Sequence, residues 1–258
     1  MSRLRISIIQ KNLAWEDKVA NLSAFGEAIQ GLEGTTDIVV LPETFSTGFS
    51  MNANDLAEDD KDETLEMIKQ WAGTYDLAIC GSFIAREKGE FYNRAFFITP
   101  QDSYYYNKRH LFRMGGEQEI FSPGKEKTTL SYKGWNIRLA VCYDLRFPVW
   151  LRNKGNEYDL LIVPANWPEA RNSVWETLLK ARAIENQSYV CGVNRIGDDS
   201  TGIPHAGNSM LVDYKGNLMI SAGIHQENIL TVEIDKENLD RFRIKFPVWK
   251  DADHFEIE

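Results

Sequence analysis

The chain has 258 residues, 43% of them hydrophobic and 26% charged, which is enough to bury a sizeable core and unlike a disordered chain. Twenty-nine Lys and Arg stand against 38 Asp and Glu, a formal net charge of −9, so no basic surplus exists for a phosphate backbone and no nucleic-acid partner is expected. Apolar runs are far too short for a membrane span, and Met1–Gln10 lacks a long apolar core or small-residue cleavage site, so a cytoplasmic protein with no membrane partner is expected.

Taken in chain order, Arg5–Gln10 reads as a buried strand, and Val19, Leu22, Phe25, Ile29 and Leu32 then recur at helical steps. Asp37–Leu41 is a short β-branched run ending in Pro42-Glu43, and Leu65, Ile68, Trp71 and Tyr75 give a second helix. Strands Ala78–Gly81 and Asn93–Ile98 lead to an aromatic, polar cluster, Tyr104-Tyr-Tyr-Asn-Lys108-Arg109-His110-Leu-Phe112. Arg138–Val141 runs into Cys142, and Asp159–Val163 into Pro164-Ala-Asn-Trp167. A third helix is expected from Val174, Leu178, Ala181 and Ile184, opened by a capping box of Ser173 and Glu176. Strands Tyr189–Gly192, Asn208–Asp213 and Ile229–Ile234 follow, and the aromatic tail Phe246–Asp253 is expected to pack on a neighbouring segment or a partner subunit.

Four of these blocks occur twice in the same order. Arg5–Gln10 matches Arg138–Tyr143, Asp37–Pro42 matches Asp159–Pro164, Ala78–Gly81 matches Tyr189–Gly192, and Asn93–Ile98 matches Asn208–Asp213 less well. Strands apolar on both faces, alternating with amphipathic helices, imply two similar sheets with helical layers. The expected fold is an α/β, four-layer α-β-β-α sandwich with an internal duplication, forming a single domain over 1–258.

The duplication also shows what is not duplicated. Glu43 stands where the second half has Ala165, and a charge carried by one half alone suggests a task. Cys142 follows a strand, where ligands of α/β sheets tend to gather, while Cys80 and Cys191 occupy matching Cys-Gly pairs and read as inert packing thiols. The four His are dispersed with no metal-ligand spacing, no phosphate loop or serine elbow is present, and neither metal nor cofactor is expected. A Cys-His pair with His110 or His205 as base remains open at this point.

The segments Leu41-Pro-Glu43-Thr-Phe, Asn107-Lys108-Arg-His-Leu-Phe112 and Val141-Cys142-Tyr-Asp-Leu-Arg-Phe-Pro148 resemble, in order, the three catalytic segments of the nitrilase (carbon–nitrogen hydrolase) superfamily. Pro164-Ala-Asn-Trp-Pro168, Ala181–Asn186 and the aromatic tail are most similar to its bacterial ω-amidase branch; Tyr143-Asp144 departs from the Trp-Glu typical of true nitrilases. The resemblance implies an α-β-β-α sandwich, a homodimer or higher homo-oligomer, and hydrolysis of the terminal amide of a small α-keto acid amide. Glu43 would act as base and then acid, Lys108 with the Tyr143 N–H would hold the oxyanion, and Cys142 would carry a thioester. It also implies a second carboxylate after the lysine segment. Glu117 and Glu119 are both candidates, and counting back from Ser122-Pro-Gly favours Glu117.

Trp167 and Phe112 are expected as pocket walls, Asp144 and Arg146 as supports of the nucleophile turn or a subunit contact, and His110 as an ordering group beside Lys108. An amidase for another small amide, such as deaminated glutathione or a carbamoyl compound, is the neighbouring alternative. A catalytically silent binding protein on the same fold is the alternative from another class.

Overall fold

The computed structural model describes residues 2–59 and 61–256. Its strands are β1 (Arg3–Gln10), β2 (Ile38–Val40), β3 (Ala78–Glu87), β4 (Glu90–Ile98), β5 (Ser103–Asn107), β6 (Thr129–Tyr132) and β7 (Trp135–Leu139) in the first part of the chain. There follow β8 (Leu160–Ala165), β9 (Tyr189–Asn194), β10 (Ile196–Asp198), β11 (Pro204–Ala206), β12 (Met210–Val212), β13 (Leu218–Ser221) and β14 (Asn228–Asp235). Helices are α1 (Lys18–Gln30), α2 (Ala53–Leu56), α3 (Glu63–Tyr75), α4 (Glu117–Ile120), α5 (Pro148–Leu151), α6 (Asn172–Asn186) and α7 (Lys236–Lys245).

Two six-stranded sheets have the orders β14-β1-β2-β3-β4-β5 and β6-β7-β8-β9-β12-β13, with the same succession of antiparallel and parallel neighbours. Along β2 the faces alternate. Ile38 and Val40 join the core that includes the second sheet, while Val39 and Leu41 pack with Leu22, Phe25 and Ile29 of α1 and Leu65, Ile68 and Trp71 of α3. On the far side α6 lies close enough to β9 that a Cβ on Gly192 would stand 2.7 Å from Leu179 and Trp175. The layers are therefore α-β-β-α.

Pairing fixes the register of the duplication. Ile6 faces Ile38 and Ile137 faces Leu160, so Arg5 corresponds to Asn136 and not to Arg138, a shift of two that keeps every side chain on its expected face. The second and third blocks are in register, since Ile38 pairs with Ala78 as Leu160 pairs with Tyr189. In the fourth, Phe96 corresponds to Met210, a slip of one from the expected alignment; a one-residue slip exchanges the faces, which is why that match looked poorer.

Two other expectations change, and the aromatic tail packs on a neighbouring segment of its own chain, one of the two placements expected. The third helix buries Trp175, Leu179, Arg182, Ala183 and Asn186, one step round from the expected stripe, and leaves Ile184 exposed. Two polar residues on the buried face misled the hydropathy pattern; Arg182 is there because it donates to the Leu145 carbonyl at 2.7 and 3.0 Å. Ser173 lies inside this helix, whose N-cap is Arg171 without a side-chain cap bond, so the capping box does not form. Beyond β14 the tail first makes α7 and then turns back along its own chain, where Gln187 donates to the Phe246 carbonyl and the Lys154 ammonium lies 4.1 Å from the Phe255 ring.

The duplicated aspartates staple equivalent strands in different ways. Asp37, itself buried, accepts the Arg5 N–H at 2.8 Å and faces the half-buried Lys133; Asp159 accepts the Asn136 N–H at 2.9 Å and pairs with Lys236 and the buried Arg243. Asp159→Ala leaves a buried guanidinium uncompensated and is expected to cost about 3–5 kcal/mol. Asp37→Ala is expected to cost about 1–2 kcal/mol, because its partners can turn to water. Urea unfolding of both variants checks this, and equal losses would refute it.

Candidate active site

Four elements deliver side chains to one point between the sheets. The buried strand β2 ends at Leu41-Pro42, and Glu43 follows with no exposed surface. One oxygen of its carboxylate accepts from Lys108 Nζ at 2.9 Å and Asn93 Nδ2 at 2.8 Å, and the other accepts the Asn166 N–H at 2.7 Å. Lys108 stands just past edge strand β5, its N–H donating to the Asn93 carbonyl at 2.9 Å. Asn93, in β4, thus touches the lysine segment through its backbone and both carboxylates through its side chain.

The loop after β5 supplies the second carboxylate. A Cβ at Gly115 would meet the Phe112 ring at 2.8 Å, and Gly116 has φ 75°, so this turn needs both glycines. It ends in the single-turn α4, whose first residue, Glu117, is fully buried. Glu117 accepts from Lys108 Nζ at 3.0 Å, Asn93 Nδ2 at 3.0 Å and the Phe112 N–H at 2.5 Å. Glu119 is exposed.

Cys142 opens a 3₁₀ turn, Cys142–Arg146, with φ 41°, a conformation that costs a non-glycine residue on the order of 1–3 kcal/mol. Its Sγ lies 3.8 Å from the Asn166 carbonyl. Asp144 caps the turn by accepting the Val141 N–H at 3.0 Å. In the second half this turn and the short α5 occupy the crossover that α1 fills in the first half, so the duplication gives up a long helix where the thiol sits.

The charges are strongly coupled. Burial pulls the Lys108 ammonium down, but Glu117 and Glu43 outweigh it and hold the group above its ordinary value, so it stays a cation. Burial raises Glu117, and Glu43 adds to the rise against the opposing pull of Lys108. Burial, and then the Glu43 charge, push the Cys142 thiol well above the usual range, so the resting sulfur carries its proton. The arrangement can take a proton from sulfur, hold an anion at a fixed ammonium and return a proton.

Above this cluster opens a cavity of about 740 Å³. Phe112, Tyr143 and Trp167 line it, as do Arg146 and Arg171, whose guanidinium groups lie 5.1 Å from the Trp167 ring and 5.4 Å from the Phe112 ring. The loop Asp199–Ile203 between β10 and β11 lines it as well, as does His205. His110 is elsewhere, stacked on Phe147 at 3.7 Å with Nδ1 2.8 Å from Asp144. No histidine among the described residues hydrogen-bonds Cys142. Nor do the described residues bring together three His, Cys, Asp or Glu able to hold a metal ion. Cys80 and Cys191 are wholly buried in the core.

Asn93, Asn166, Arg171 and the loop 199–203 do not stand out in the sequence, and His205 stands out only as a candidate base. A polar pair, Asn93-Arg94, just before the apolar run Ala95–Ile98 of β4 was the available signal for the first.

A carbon–nitrogen hydrolase family model matches residues 5–244. The chain belongs to the carbon–nitrogen hydrolase family. It is 42% identical to an ω-amidase, YafV, of Yersinia enterocolitica over 99% of each chain, and 40% identical to YafV of Escherichia coli K12 over the whole of both. It is 30% identical to the 2-oxoglutaramate amidase of Bacillus subtilis over 95% of this chain and 96% of that one. Among solved structures, XC1258 of Xanthomonas campestris, a CN-hydrolase superfamily protein with an arsenic adduct in the active site, is 40% identical with a TM-score of 0.97, and each chain covers the other completely. This carbon–nitrogen hydrolase has no helix among its described residues long and apolar enough to cross a membrane.

His205 gives the hydrolase a measurable acid limb. Burial, and then the Arg195 cation, hold its imidazole down to about 4, while the unfolded chain binds that proton near 6.5. Between these values the unfolded state binds more protons, so stability is full above about 6.5 and declines as pH falls toward 4. His205→Gln should make the fall of Tm over this interval shallower. An unchanged slope would show that the histidine is not held neutral.

Proposed function

We propose that this hydrolase is an ω-amidase, cleaving the terminal amide of small α-keto acid amides such as 2-oxoglutaramate to the dicarboxylate and ammonia. The observation that carries this reading is the buried Lys108 ammonium between Glu43 and Glu117 beside a protonated thiol, in a chain at least 40% identical to ω-amidases over its whole length. Such an activity fits metabolism linked to glutamine transamination and methionine salvage.

The resting thiol is a poor nucleophile, so its proton must leave as sulfur attacks. Glu43 takes it while the S–C bond forms, and Lys108 and the Tyr143 N–H receive the oxyanion. Glu43 then returns the proton to the amide nitrogen, the C–N bond breaks, ammonia departs and a thioester remains on Cys142. Water attacks the thioester and gives a proton to Glu43; the C–S bond breaks, and that proton restores the thiol. Glu117, held by Phe112, Asn93 and Lys108, orients the amide and then the water.

The acid end of the substrate has two partners in the cavity. Arg146 and Arg171 form no ion pair among the described residues, and stacking on Trp167 and Phe112 leaves their N–H edges available to a carboxylate. Asp199 also faces the cavity, but one of its oxygens is taken by the N–H groups of Thr201 and Ile203 and the Thr201 hydroxyl. A second reading, an amidase for a longer acidic amide such as deaminated glutathione, is favoured by the 740 Å³ of space, more than a five-carbon amide fills. The three buried free thiols support a cytoplasmic location, and exposed Ile184 and Val149 support a homo-oligomer, which light scattering would measure.

Ammonia release from a panel of amides tests the reading. 2-Oxoglutaramate should turn over far faster than glutamine, whose ammonium replaces the keto oxygen; equal rates, or a preference for a nitrile, would sink it. Cys142→Ala should abolish turnover and Cys80→Ala should retain it.

The two carboxylates of the lysine loop are separable by kinetics. Glu117→Gln keeps the shape and loses charge and acceptor capacity, so kcat should fall by at least ~100-fold. Glu119→Gln should change kcat by less than about threefold. The reverse pattern would remove Glu117 from the mechanism.

A further inference from the structure

The lysine segment Tyr106–His110 and the nucleophile turn Val141–Phe147 meet at the carboxylate of Asp144, which has no exposed surface. One oxygen accepts the Val141 N–H at 3.0 Å and the Tyr106 hydroxyl at 2.8 Å. The other accepts the His110 N–H at 3.0 Å and lies 2.8 Å from His110 Nδ1. Tyr106 extends the junction, its oxygen accepting the Arg109 N–H at 3.2 Å and the Trp150 indole N–H at 2.9 Å. The donors thus come from residues one and two places beyond Lys108, two places before it, and one place before Cys142.

We propose that Asp144 is a positioning residue that sets where the Lys108 ammonium stands relative to the Cys142 sulfur. This rests on the reading of those two groups as oxyanion donor and nucleophile. Lys108 follows the edge strand β5 of one sheet and Cys142 follows β7, second from the edge of the other, and no covalent constraint nearer than the 33 residues between them holds their separation. A fully buried carboxylate that accepts from Tyr106 and His110 of the lysine segment and from the Val141 N–H of the nucleophile turn supplies that constraint. Burial, reinforced by Asp144, keeps the Tyr106 phenol protonated and therefore a donor. An amide in place of the carboxylate would turn an N–H₂ group toward donors at one of the two oxygen positions, and the junction would open.

The test compares Asp144→Asn with Asp159→Asn, which alters an equally buried carboxylate engaged far from the thiol by Arg243, Lys236 and Asn136. The readouts are kcat, KM, Tm, and the rate at which iodoacetamide alkylates Cys142, located by peptide mass spectrometry. Asp144→Asn should lower kcat about 100-fold, the effect of a displacement near 1 Å, with KM changed less than threefold and alkylation altered as well. Asp159→Asn should lose Tm at least as much and keep kcat within about threefold. A kcat preserved in Asp144→Asn, a loss appearing in KM alone, or the same kcat loss in Asp159→Asn would each overturn the proposal.

If Asp144→Asn does not fold, Tyr106→Phe removes one donor and should lower kcat roughly fivefold at constant KM; no change there overturns it equally. Turnover by Cys142→Ala would instead overturn the underlying mechanism, so the two failures are distinguishable.

Discussion

Everything at this site depends on one ammonium kept in a place where water cannot reach it. Removing a lysine charge from water costs several kcal/mol unless anions accompany it, and Lys108 is met by Glu43 and Glu117 at hydrogen-bond distance. Two carboxylates around one cation leave the cluster with a negative excess, which burial resists. The structure meets that excess with neutral donors: Asn93 to both carboxylates, the Asn166 N–H to one and the Phe112 N–H to the other. Each comes from a different part of the chain, so the charge cluster exists only when both sheets are assembled.

The duplication explains how such a cluster can lie between the sheets. Two equivalent halves present equivalent strand ends to each other, and Glu43 meets its counterpart across the join: its N–H donates to the Ala165 carbonyl at 3.4 Å. The next pair, Thr44 and Asn166, also touch, at 3.2 Å. Had both halves kept the carboxylate, two anions would face each other without room for a cation. The asymmetry of Glu43 and Ala165 is what allows one half to supply the acid and the other the backbone donor that holds it.

Much of this was legible in the sequence. Short apolar strands, their order and their repetition gave the layers, and strand ends gave Glu43 and Cys142 as members of one neighbourhood. Less visible were groups whose partners are distant in sequence. Asn93 looks like an ordinary strand residue until the carboxylates arrive, and Arg182 and Asn186 look like the solvent face of α6 because their partners, the Leu145 carbonyl that accepts from Arg182 and the Asn153 N–H that donates to Asn186, lie in segments that hydropathy does not register. The register of the first repeat was misread by two residues, an error that pleating conceals because it leaves inside and outside unchanged. Helix α7 is hidden for the opposite reason, since it buries little more than Leu239 and Arg243.

The first strand of the chain is completed by the last. β14 pairs with β1 along its whole length, from Arg3 opposite Asp235 to Gln10 opposite Asn228. During synthesis β1 therefore emerges with one flank open, and its partner is made about 200 residues later, on the order of 10–40 s at ordinary elongation rates. A nascent chain in that interval carries an unpaired, strongly apolar strand edge, the kind that recruits strands from other chains. The finished molecule conceals the hazard, but its birth is a race between the ribosome reaching residue 235 and that edge finding another partner.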